Sequence, residues 1–152
     1  MGGWIVELPK NGMRPREVAT TTLMSLPVYS KQRNRGKAFG DGLGYIVPEL
    51  TSTRDAFCPD ASHYDAPMMA DPMKFISEPP TFAIEVRSES DYGPAADNAY
   101  EPKRVEYFEV GTKVVWDVDP MGEWVMGYTS PADDGMEFRR GRIADAEPAV
   151  SG

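Results

Sequence analysis

The chain has one cysteine, Cys58, and one histidine, His63, in 152 residues. A lone cysteine excludes an internal disulfide and any zinc site built on paired cysteines, and a lone histidine excludes a histidine-rich metal centre. There is no apolar run of the length a membrane-spanning helix needs, and no basic start followed by an apolar stretch as in a secretory signal. Positive charge is also scarce: 16 basic residues face 24 acidic ones, for a net charge of −8. Phosphate neutralisation drives most nucleic-acid affinity. A chain this acidic that acts on nucleic acid therefore needs a local basic patch, a divalent cation or a partner. Internal repeats are absent as well. These absences point to a soluble, cytoplasmic protein without a membrane partner.

What is present is enough apolar material for one core. Hydrophobic residues make up 41% of the chain and aromatic residues 11%, which sets it apart from disordered sequences of similar charge. The first segment, Trp4 to Leu8, reads as a short strand closed by Pro9 and the Asn11-Gly12 turn. Residues 15 to 29 read as a helix with Val18, Leu23 and Leu26 on its apolar side. The cluster Lys31, Arg33, Arg35 and Lys37 fits either a solvated loop or a surface meeting a phosphate backbone. Tyr45 to Val47 and Ala56 to Cys58 read as short strands. Residues 64 to 80, rich in proline and methionine, read as an irregular loop.

The clearest periodicity runs from Thr81 to Arg87, where Phe82, Ile84 and Val86 alternate with Ala83, Glu85 and Arg87. Residues 88 to 100 read as turns, and Pro102 opens a predicted helix that stops at Gly111. Val114, Trp116 and Val118 mark a second strand, and Asp119-Pro120-Met121-Gly122 turns it into Trp124, Met126 and Tyr128. A strand–helix–strand run of this length predicts parallel strands, followed by an antiparallel hairpin and a last short strand at Met136 to Arg139. The expected fold class is therefore a mixed α/β (α+β) sheet flanked by helices.

Three residues in this frame suit phosphodiester chemistry. That reaction needs a divalent cation, and Mg²⁺ prefers oxygen ligands, commonly one or two carboxylates. Asp60 follows a proline at a strand end, Glu85 interrupts an apolar strand, and Lys103 lies within reach of that strand's carboxyl end. Two carboxylates about 5 Å apart repel by roughly 3 kcal/mol at an effective dielectric near 20, which a cation relieves. Each residue also has an ordinary role open to it: Asp60 as a turn cap, Glu85 as an edge-strand charge, Lys103 as a surface lysine. Asp117 and Asp119 share a strand face, but the proline after Asp119 suits a turn. Tyr107 and Trp116 read as core, His63 as a solvated loop residue and Cys58 as a small buried apolar residue.

Four segments taken in order carry a resemblance. They are Pro59-Asp60, Phe82 to Ser88, Lys103 through Tyr107 to Gly111, and Val115 to Pro120. Together they resemble the Uma-two family of restriction-endonuclease-like proteins, within the PD-(D/E)xK nuclease superfamily. The resemblance is best over residues 56 to 128. It implies a single restriction-endonuclease-like domain over 1–152, abbreviated at both ends. It also implies metal ligation of Mg²⁺ (or Mn²⁺) by Asp60 and Glu85, and catalysis by Asp60, Glu85 and Lys103. The expected activity is metal-dependent hydrolysis of DNA, with a homodimer serving the two strands. The third position of the superfamily's E-x-K is Arg87, so the lysine is expected from the following helix, at Lys103. Glu17 is the candidate for an additional acid. The sequence departs from the family at Arg14-Pro15-Arg16, where a histidine is usual. With the acidic charge and Arg87, this keeps an alternative open: a nuclease-fold module that has lost catalysis and binds a protein or nucleic acid.

Overall fold

The computed structural model describes residues 5–7, 36–65, 73–88, 91–139 and 143–145. The predicted helix over 15 to 29, Glu17, and most of the basic cluster lie outside these residues. Ten strands and one helix are described, in the order β1 (Ile5–Glu7), β2 (Lys37–Phe39), β3 (Tyr45–Ile46), β4 (Ala56–Phe57), β5 (Ala61–Tyr64), β6 (Phe82–Val86), α1 (Pro94–Glu109), β7 (Val114–Asp119), β8 (Trp124–Tyr128), β9 (Met136–Arg139) and β10 (Ile143–Asp145).

Six strands form one mixed sheet in the order β2-β5-β6-β7-β8-β9. Only the central pair, β6 and β7, is parallel, with Glu85 opposite Asp117. Its crossover is α1, as the spacing predicts. The hairpin of β7 and β8 is antiparallel, with Asp119 opposite Trp124. β1 pairs with β10 and β3 with β4 in two small sheets.

Burial explains the central position of β6 and β7. Every residue of β7 is buried, as are Phe82 to Glu85 of β6. The period-two pattern here separates two covered faces rather than a wet face from a dry one. On one face Ala83 and Val115 pack with Val47, Leu50, Phe57 and Tyr107, so the helix closes over this side. On the other, Phe82 meets Trp116 edge to face at 5.0 Å between ring centres. Phe57 and Tyr107 stack at 4.3 Å, an aromatic contact worth about 1 kcal/mol beyond its buried area.

The helix starts two turns earlier than Pro102 suggests. Pro94 occupies the first turn after Gly93, and Pro102 lies inside the helix. An internal proline removes one hydrogen bond and costs about 3 kcal/mol in general. Asn98, whose carbonyl loses its partner, is exposed along with Pro102, so water can serve that carbonyl. The carboxyl end is as expected. Gly111 has φ of 108°, and the N–H groups of Gly111 and Thr112 donate to the carbonyls of Phe108 and Tyr107. That reciprocal pair is the Schellman closure, which needs the left-handed conformation glycine adopts at low cost.

Other expectations are corrected. Lys37 to Phe39 and Ala61 to Tyr64 are strands, paired antiparallel with Lys37 opposite Tyr64. His63 is therefore buried in β5 at 2% exposure rather than solvated in a loop, and Cys58 is exposed rather than buried. In the link from β4 to β5, Phe57 and Pro59 are buried and Cys58 between them faces out.

Candidate active site

Pairing of β5 with β6 sets Ala61 opposite Ile84, so the residue before Ala61 lies beside the residue after Ile84. Those residues are Asp60 and Glu85. Asp60 is anchored there by its Oδ2, which accepts a hydrogen bond from the N–H of Val86 at 2.7 Å. Glu85 is 8% exposed and lies inside the sheet, not on its edge.

The helix supplies two donors to one oxygen of Glu85. Nζ of Lys103 lies 2.7 Å from Oε1, and the Tyr107 hydroxyl donates to the same atom at 2.6 Å. Lys103 and Tyr107 are four residues apart, so both project from one helix face. Lys103 is in the third turn rather than the first, because the helix begins at Pro94. Oδ1 of Asp60 and Oε2 of Glu85 accept no hydrogen bond from the described residues.

Both carboxyls are more basic than usual. Burial is the main cause for Asp60, opposed by the Val86 N–H and reinforced by the charges of Asp41 and Asp91. Burial also dominates for Glu85, opposed by Lys103 and Tyr107 and reinforced by Asp60. Two partly dehydrated carboxylates, the charge of Asp60 raising the proton affinity of Glu85 and each with an oxygen that no described residue engages, suit a hard divalent cation. Among the described residues no group of three or more His, Cys, Asp or Glu side chains gathers into a larger ligand set.

Arg87, at the third position of the E-x-K pattern, does not turn toward Glu85. Its Nε and Nη2 donate to Asp117 Oδ1 and Oδ2 at 3.0 and 2.8 Å. Its guanidinium also stacks over Tyr100 and Trp124 at 4.7 and 5.4 Å. Asp119, the other half of the suspected pair, serves the turn: its Oδ1 accepts from the N–H groups of Met121 and Gly122 and from the Tyr92 hydroxyl. The sequence reading missed the Tyr107 hydroxyl and the Arg87–Asp117 pair. The four-residue spacing from Lys103 was the available signal for the first.

A crevice of about 10 Å³, room for about one water, runs between helix and sheet beside Glu85, Lys103 and Tyr107. A larger pocket of about 390 Å³ lies against β7 to β9. Its one carboxylate, Asp133, is taken by the N–H groups of Thr129 and Gly135, so size and chemistry separate. Among the described residues, no helix is long and apolar enough to cross a membrane.

A search of curated proteins returned no significant match. Five chains of solved structures are significantly similar. One is a crystal structure of a "putative nuclease belonging to DUF820" from Anabaena variabilis, with a TM-score of 0.65 and 17% identity. The match covers 91% of this chain and 76% of that one. At this identity the likeness establishes the fold, which is restriction-endonuclease-like. The profile of the Uma2 family, described as "Putative restriction endonuclease", matches residues 1–151. That span leaves one residue of the chain unmatched, and the chain belongs to the Uma2 family.

Proposed function

We propose that this chain is a metal-dependent endonuclease that hydrolyses DNA phosphodiester bonds. Family membership and the nuclease-type fold support nuclease function in general. The finer reading is carried by one observation. Asp60 and Glu85 are neighbours across β5 and β6 with one oxygen of each tied down, the other engaged by no described residue, and Lys103 on the tied oxygen of Glu85.

In this reading Asp60 and Glu85 hold Mg²⁺ or Mn²⁺. When bound, such a cation neutralises phosphate charge and makes water a better nucleophile near neutral pH. The Val86 N–H holds Asp60 in place. Lys103, about one third exposed, offers its charge to the phosphate or the attacking water. Glu17 is proposed as an additional acid, and a homodimer as the assembly that presents two sites to two strands.

The test is nicking and linearisation of supercoiled plasmid with Mg²⁺ or Mn²⁺, by the native protein and by Glu85→Gln. Cleavage that depends on the metal and vanishes in the variant, with its circular dichroism unchanged, supports the assignment. Undiminished cleavage by Glu85→Gln overturns it. The charge of −8 favours one rival, a nuclease fold without catalysis that binds a protein or nucleic acid. Native protein that neither cleaves nor binds Mn²⁺ selects that rival.

A further inference from the structure

The structure assigns Tyr107 a positioning role: its hydroxyl fixes the Glu85 carboxylate so that Oε2 is the oxygen presented beside Asp60. This rests on the metal-site reading above. Tyr107 touches neither a substrate nor a reacting atom in that scheme, and acts through Glu85.

Three observations carry it. First, a carboxylate on a two-carbon stem rotates freely unless something holds it, and here Lys103 and Tyr107 converge on Oε1 at 2.7 and 2.6 Å. Lys103 is a flexible, partly exposed side chain. Tyr107 is fully buried and rigid, so it is the donor able to define the carboxylate plane. Second, the ring of Tyr107 stacks on Phe57 with an interplanar angle of 25°. Phe57 is three residues before Asp60 on the same short stretch, so one side chain braces the backbone carrying Asp60 while its hydroxyl holds Glu85. Third, the helix end is tied where Tyr107 sits: its own carbonyl accepts the Thr112 N–H in the Schellman closure. The side chain therefore starts from a fixed backbone.

Partners that orient a metal-binding side chain typically change affinity by about 10–100-fold when removed. Tyr107→Phe removes the hydroxyl and keeps the ring, the stack and the packing. Mn²⁺ titration by calorimetry on native protein, Tyr107→Phe and Glu85→Gln separates the possibilities. The expected result is a native site lost in Glu85→Gln and weakened about tenfold or more in Tyr107→Phe. In EDTA the Tyr107→Phe protein should still unfold cooperatively, its melting temperature lowered only by the loss of one buried hydrogen bond, so the fall in metal affinity is not a consequence of unfolding.

Native-like affinity in Tyr107→Phe overturns the positioning role and leaves the metal site standing. Absence of Mn²⁺ binding by the native protein overturns both. If Tyr107→Phe is too unstable to titrate, 3-fluorotyrosine at position 107 reports the same contact by ¹⁹F resonance. Its signal should move on Mg²⁺ addition and stay still in a Glu85→Gln background. A signal indifferent to Mg²⁺ in otherwise native protein overturns the role.

Discussion

Arg87 and Asp117 close a two-pronged ion pair across the parallel β6 and β7 strands, with 8% and 5% of their surfaces exposed. The pair neutralises the one cation that the E-x-K pattern would have placed next to Glu85. It thereby leaves Lys103 as the cation on that carboxylate.

Breaking this pair from one side strands a buried charge. Asp117→Ala should cost about 3–5 kcal/mol. In a domain of this size that is roughly 2–4 °C of melting temperature per kcal/mol. Arg87→Met with Asp117→Leu should recover most of the loss, because two apolar side chains need no partner. A single variant that melts with native protein contradicts the role given to the pair.

Glu85 should make the metal-free protein less stable as pH rises. Its proton affinity is raised by burial, so above the ordinary carboxylate range the folded state keeps a proton the unfolded chain has released. Stability from this group is full below the unfolded value and declines as pH climbs through the raised folded value. Glu85→Gln should therefore melt higher than native in EDTA at pH 7, with the gain shrinking at pH 4. Asp60 has the same sign, for the same first cause. A melting difference independent of pH would falsify this account.

Divalent cation should reverse that penalty through mass action. At a hundred times its Kd, Mn²⁺ should stabilise native protein by about 2.7 kcal/mol. Asp60→Asn removes a charged ligand oxygen and should melt at the same temperature with and without Mn²⁺. An equal shift in both proteins places the metal elsewhere.

Lys103 separates catalysis from binding. Lys103→Met should lower cleavage by about 10²–10³-fold, the scale of losing one preorganised charge at a reacting centre. Mn²⁺ affinity should hold or rise, because a competing cation has left Glu85. Weaker Mn²⁺ binding with full turnover at saturating metal would show Lys103 to be a support for the carboxylate alone.

Parts of the fold were legible because local pattern and final environment agree. Thr81 to Arg87 and Val114 to Asp119 are apolar enough to be strands in any buried setting, and the turn at Asp119-Pro120 announces the hairpin. Gly111 ends the helix where its sequence says. Ala61 to Tyr64 was missed because Ala-Ser-His-Tyr carries no apolar alternation; it is a strand because both faces are covered by distant residues. The start of the helix was misplaced because Pro94 and Pro102 each suit a first turn. Only the backbone shows the second to be internal.

The sequence by itself determined the order of a carboxylate, a carboxylate and a lysine along a strand–helix–strand frame, since spacing and residue type are local properties. It also determined that residue 87 is not the lysine of the pattern. Tertiary structure decided which oxygen of Glu85 is occupied, that Tyr107 shares it with Lys103, and that Arg87 belongs to Asp117. Those outcomes depend on β5, β6, β7 and α1 meeting at one place. A hydrogen bond between residues 22 apart, or an ion pair between residues 30 apart, leaves no trace in the spacing of either partner.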